Sequence, residues 1–238
     1  MPFDLNTMQV LAIVSMFGAW FSYSAILKLI SSGSLNDRLS LVRTQWIANS
    51  VNRPQKPFDA ILLGNIVSSI SFFGSATLLV LAGLFAFFTH SKAVYDIILS
   101  LPFEPALSYE EFVLQMAIVN ATLAISFFSF TYALRKVTYV IALIGALPSG
   151  DLNEKQSQHV DKMVESAAIV LTEALKTFNF GIRGYYYFIA ALGLVVSPYL
   201  SLGLTAILTF ILFYRQLGSK TAKAIDRFVT EAGNLNEK

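Results

Sequence analysis

From Ala60 to Phe88 the chain carries no Asp, Glu, His, Lys or Arg. Few folds tolerate such a run. About 20 apolar residues suffice for a helix to cross the hydrocarbon of a bilayer, and this stretch is longer, so it reads as a span that tilts, kinks or projects from the membrane. Three further runs have the same character: Met8–Ile30, with Lys28 placed to snorkel at its end; Phe112–Leu134; and Tyr187–Tyr214, where Pro198 removes a backbone donor and predicts a kink. The chain as a whole is 55% hydrophobic and only 13% charged, against about 25% charged in soluble domains. Its mean hydropathy is +0.61. The expected fold is therefore all-α: a polytopic membrane protein, a four-helix transmembrane bundle with amphipathic cytoplasmic helices, forming a single membrane domain over residues 1–238.

A formal net charge of +2 provides no basic surface on the scale nucleic acid requires. The absence of cysteine excludes disulfides, thiolate metal sites and a cysteine nucleophile. His90 and His159 both fall outside the spans and read as surface residues. The start of the chain has an acid, Asp4, and no base. That is not the pattern of a cleaved signal, and the first run is expected to be a retained span.

The third run passes "RK" at 135–136 and becomes apolar again to Ala146. One helix from Phe112 to Ala146 would be about 50 Å long, so it is expected to leave the membrane near Arg135 and continue against other protein. Pro148, Ser149 and Gly150 should end it. Residues 35–52 place Leu35, Leu39, Val42 and Trp46 at helical spacing, which suits an interfacial helix with Trp46 at headgroup depth. Residues 157–178 carry a second stripe. Val160, Val164, Ala167, Ala168, Leu171, Ala174 and Leu175 fall on one face with Met163 and Phe178; Asp161, Lys162, Glu165, Thr172, Glu173 and Lys176 fall on the other. This helix should dock on the extension of the third span near Val140 and Ile144.

Basic residues crowd the loops after the first and third spans, and the loop after the second has only Lys92. By the positive-inside tendency the basic loops are cytoplasmic. The basic tail, with Arg215, Lys220, Lys223 and Arg227, conflicts with four crossings. An odd number of crossings, or a fourth segment broken at Pro198, would remove the conflict.

Within the second span, Gly64, Ser68, Ser71 and Ser75 share one face, continued by Ala82 and Ala86. Ala117, Ala121 and Ala124 make a similar stripe on the third span. Small residues let helix backbones approach closely in lipid, so both spans are expected to be inner, packing helices. Asn65, Ser69, Asn120 and Thr131 lie beside these stripes. They suit interhelical hydrogen bonds or, as the alternative, a polar path. No ionisable residue lies mid-span in either helix, which favours packing.

Three stretches, "DAILLGNIVSSISFFGSATLLVLAGL", "FFSFTYALRKVTYVIALIGALP" and "FNFGIRGYYYFIAALGLVVSPYL", resemble the integral membrane family known as domain of unknown function 599. The resemblance extends from the first helix to about Arg215. It implies four spans and no particular activity, and it carries no catalytic residue to transfer.

No metalloprotease, acidic metal-cluster or phosphate-loop pattern occurs. No catalytic residue, metal ligand or cofactor is expected, and the chain does not read as an enzyme. At the cytoplasmic edge, Asp59 opens the second span, where a helix N-terminus favours an acid. It is expected to pair with an arginine such as Arg135 or Arg183. Tyr185, Tyr186 and Tyr187 read as an interfacial aromatic belt. The leading expectation is a structural or accessory protein of the bacterial cytoplasmic (inner) membrane. It would contact membrane lipid and form a homo-oligomer or join a larger complex, with no nucleic-acid partner. The alternative is a small anion or solute channel or transporter.

Overall fold

The computed structural model describes residues 6–30, 35–53, 57–100, 107–148 and 154–236. Every regular element among them is an α-helix: α1 (Thr7–Ile30), α2 (Leu35–Asn52), α3 (Pro57–Thr89), α4 (Ser91–Leu99), α5 (Tyr109–Gly145), α6 (Glu154–Val196), α7 (Pro198–Leu217) and α8 (Lys220–Asn236). Four helical runs are long and apolar enough to cross a membrane: Thr7–Ile30, Pro57–Thr89, Tyr109–Gly145 and Pro198–Gly233. Asp4, Ser149 and Gly150 lie outside the described residues.

Local chemistry sets the helix starts. Proline occupies the first position of α3 and α7, where its missing N–H would have had no intrahelical partner. At the start of α5, the backbone N–H of Glu111 donates to the Ser108 hydroxyl, and the Ser108 N–H donates to the Glu111 carboxylate at 2.8 Å. This reciprocal capping box satisfies two donors that the first turn leaves open. Ser219 caps α8 by accepting from the Ala222 N–H.

The chain divides into two compact units. The first comprises residues 1–26, 74–128 and 180–212. Its core is aromatic. Trp20 is fully buried, donates its indole N–H to the Phe180 carbonyl at 3.1 Å, and stacks on the Phe180 ring at 5.1 Å. Glycine makes that packing feasible: a Cβ on Gly184 would coincide with the Ser126 hydroxyl and lie 2.6 Å from the Trp20 ring. A second close approach joins the end of α6 to the start of α7. A Cβ on Gly193 would lie 2.8 Å from Leu204. Tyr187 and Thr209 share a hydrogen bond of 3.0 Å. Contacts that pair 193 with 200–204 and 187 with 209 run in opposite senses, so these helices form an antiparallel hairpin.

That hairpin changes the expected fourth span. In place of one kinked helix over 187–214, the chain forms two helices with a reversal at Ser197–Pro198. The physical reason is that Pro198 cannot donate to the preceding turn, and the unsupported α7 finds its partner by folding back on α6. The amphipathic segment is also no separate element. Residues 157–178 and Tyr187 belong to the same unbroken α6, about 65 Å long at the usual rise.

The second unit comprises residues 27–73, 129–179 and 213–238. Its core is aliphatic: Ile47 and Val51 from α2, Leu63 from α3, Val140 from α5, and Val160, Val164, Ala167, Ala168 and Leu171 from α6, with Leu147 just beyond α5. Ile144 packs against this cluster, so the stripe of α6 docks where the sequence placed it. Two positions depart from the expected wheel. Met163 is exposed, while Thr172 is buried because it lies beside Arg43 of α2, 3.4 Å from its guanidinium. An exposed ion pair, Arg38–Asp226 at 3.3 Å, links α2 and α8.

Candidate functional site

An open, apolar concavity of about 450 Å³ lies in the second unit among α2, α3 and α6. Trp46 comes from α2. Leu62, Asn65, Ile66, Ser69 and Ile70 come from α3, and Leu175 and Phe178 from α6. The α3 positions follow from helical spacing, since steps of three and four keep side chains on one face. Asn65 and Ser69, two residues expected to be polar contacts, therefore sit together on its wall. The Ser69 hydroxyl donates to the Asn65 carbonyl at 2.9 Å within the helix, which leaves the wall mostly apolar.

One turn before Leu62 stands Asp59, which is 6% exposed. The Trp46 indole N–H donates to its carboxylate at 2.7 Å, and Arg53 donates to the same oxygen. The guanidinium of Arg53 also lies over the Phe58 ring. Asp59 is thus buried with a charge partner and a hydrogen-bond donor, the condition under which a buried carboxylate is tolerated.

This corrects the expected ion pair. Neither Arg135 nor Arg183 pairs with Asp59; Arg53, six residues earlier and just beyond the end of α2, does so. Arg135 donates to the Tyr139 hydroxyl at 2.6 Å. Arg183 donates to Ser24 at 3.2 Å and lies 4.7 Å over the Tyr23 ring. Arg43, which the sequence did not single out, donates twice to the Asn36 side-chain oxygen at 3.2 Å. Burial holds its pKa below the ordinary arginine value.

The small residues are placed differently from expectation. Gly64, Ser68, Ser75, Ala117 and Ala121 are exposed, and Ser71 and Ala124 are half-buried. A Cβ on Gly64 would meet nothing within 4 Å. Only 11% of the apolar window of α3 is buried, against 39% for α5, so α3 is not an inner helix of this chain. Lipid tails are as apolar as leucine, and hydrophobicity alone does not draw a helix inward.

The first unit buries polar side chains instead. Asn120 donates to the Met116 carbonyl at 2.9 Å, while its own carbonyl oxygen has no partner among the described residues. Gln115, Ser201 and Thr205 each keep a buried side-chain oxygen without one among them. Thr131 is exposed. Tyr185 bonds Thr77 and Tyr187 bonds Thr209, so these two tyrosines hold helices together. Among the described residues no group of three or more His, Cys, Asp or Glu could hold a metal ion.

Four long apolar helices in an all-α chain define a polytopic membrane protein. The chain belongs to the DUF599 family of proteins of unknown function, whose profile matches residues 11–221. No curated protein and no solved structure matches it.

Proposed function

We propose that this is a structural or accessory integral membrane protein that self-associates, or joins a larger membrane complex, through the outer face of α3. One observation carries the reading: α3 has the highest hydropathy of the four candidate spans yet is the least buried. Its outward face, away from the cleft, displays Gly64, Ser68 and Ser75. Lipid offers such groups no partner, whereas a second helix can approach closely over them and accept their hydrogen bonds. The test is native mass measurement in gentle detergent. Ser68→Leu and Ser71→Leu should lower the oligomer mass, and Leu79→Ala should not. An unchanged mass in both serine variants would refute the reading.

The setting that suits a helical polytopic chain with basic loops is a bacterial cytoplasmic membrane. The antiparallel α6–α7 hairpin supports five crossings in place of four, and Arg38–Asp226 supports a tail on the same side as α2. That arrangement removes the charge conflict, since the basic tail and basic loops then share the cytoplasmic face. The chain has no native cysteine, so single introduced cysteines report sidedness directly. Ser40→Cys and Thr221→Cys should react with a membrane-impermeant thiol reagent from the same side, and Ser91→Cys from the other.

A channel or transporter for small solutes is the second reading. It is supported by the partnerless buried oxygens of Gln115, Asn120, Ser201 and Thr205, which are places for water to bind. Solute flux into liposomes that is lost in Asn120→Leu would favour it over the accessory role.

A further inference from the structure

The cleft of the second unit is apolar, with a charged cluster beside it. Its walls are aliphatic and aromatic, from Leu62, Ile66 and Ile70 on α3 to Leu175 and Phe178 on α6. Its volume of about 450 Å³ falls among pockets that hold small ligands, roughly 300–1,000 Å³. More than half of the lining comes from α3, a helix suited to crossing a membrane, so an occupant is drawn from the bilayer. Trp46 links the cleft to charged groups just outside its lining: the indole N–H and Arg53 both donate to Asp59, one turn before Leu62. Arg53 commits one nitrogen, Nη1, to that carboxylate at 2.5 Å. Its other donors have no partner among the described residues, and its side chain is 27% exposed. A guanidinium with free donors matches phosphate geometry.

We propose that this cleft holds one acyl chain of a membrane phospholipid, with the lipid phosphate on the Arg53 guanidinium. The apolar wall takes the chain, and the single donors that Asp59 leaves free take the headgroup. Trp46 marks the level at which the two meet, as tryptophan does at membrane interfaces. Asp59 acts as a positioning residue that holds both Trp46 and Arg53 in place. The assignment is independent of self-association, because it concerns the side of α3 that faces α2 and α6.

The full-length protein, stripped of lipid by exchange in mild detergent, is titrated with dioleoyl phosphatidylglycerol or with dioleoylglycerol, which lacks the phosphate. Native mass spectrometry counts bound molecules. One phospholipid per chain is expected, preferred over the diacylglycerol by about tenfold or more, or about 1.4 kcal/mol. Ser69→Phe and Asn65→Phe fill the cleft from exposed positions and should each abolish binding; two variants guard against one failing to fold. The paired change Arg53→Gln with Asp59→Asn keeps a neutral hydrogen bond at the site. It should leave chain binding intact and remove the preference for phosphate. Undiminished phospholipid binding in both phenylalanine variants would overturn the cleft assignment. Equal binding of the two lipids by the unaltered protein would overturn the role given to Arg53.

Discussion

Helices α3 and α6 are the instructive pair. Helix α3 has the highest hydropathy of the candidate spans and buries almost none of its apolar window. Helix α6 begins with a charged, water-compatible sequence, "EKQSQHVDKMVE". Yet it buries one face along nearly its whole length, from Val160 through Leu171 and Tyr187 to Leu194. Apolarity identifies the solvent a helix tolerates. Periodicity and small residues at close approaches identify what it packs against. In water the two signals coincide, because burial is the only refuge from the solvent. In lipid they separate, because the solvent itself is apolar.

The comparison can be broken at several points. The largest effect is expected at Leu171, which is fully buried in the aliphatic core. Leu171→Asp should cost more than about 4 kcal/mol, since it buries an unpaired charge. Hydrogen exchange across 160–178, slow in the unaltered protein, should become fast. Lys162→Ala, on the exposed face, should stay within about 0.5 kcal/mol. Rapid exchange in the unaltered protein would mean that α6 is not docked.

Gly184→Ala comes next. The added methyl meets the Trp20 ring and the Ser126 hydroxyl, and overpacking of this kind costs about 1–3 kcal/mol. Thermal unfolding in detergent should show a clear loss. A variant as stable as the parent would show that the Trp20 stack does not need this approach.

Tyr23→Phe should have a smaller effect. It removes the hydroxyl that donates to the Leu212 carbonyl at 3.0 Å, a loss of about 1 kcal/mol. The measurement is again the unfolding midpoint, and no change would argue that α7 is held without this bond.

The smallest effect is at Gly64→Ala on α3. Open space surrounds the site, and alanine is the better helix former by about 1 kcal/mol at most. In the dissociated chain a slight gain in stability is expected, in contrast to Gly184→Ala, and a loss there would mean that Gly64 is not open. In the assembled protein the same change should instead weaken self-association over this face.

Much of the pattern of spans was legible for a simple reason. A membrane span must satisfy its own backbone bonds and present apolar side chains for about 20 residues, so the runs at 8–30, 60–88 and 112–134 declare themselves. The stripe at 160–178 was legible by its period. The partner of Asp59 was not. Wheel geometry ranks neighbours along one helix, but Arg53 lies just past α2 and Asp59 in the first turn of α3, and nothing in spacing selects Arg53 over Arg135 or Arg183. Gly184 was equally hidden. A glycine in a helix looks alike in sequence whether its missing Cβ faces open space, as at Gly64, or an indole ring.

The sequence by itself determined the class, because a bilayer accepts a narrow range of compositions and the chain's hydropathy meets it. It did not determine the start of α7, since a proline that lacks a backbone donor fits a kink inside one span as well as the break between α6 and α7. Only the tertiary structure decided which faces are shared. It turned α7 back along α6, joined Trp46 and Arg53 to Asp59, and left the small-residue face of α3 bare. Those choices depend on the fit of side chains from distant segments, and a linear pattern holds no measure of that fit.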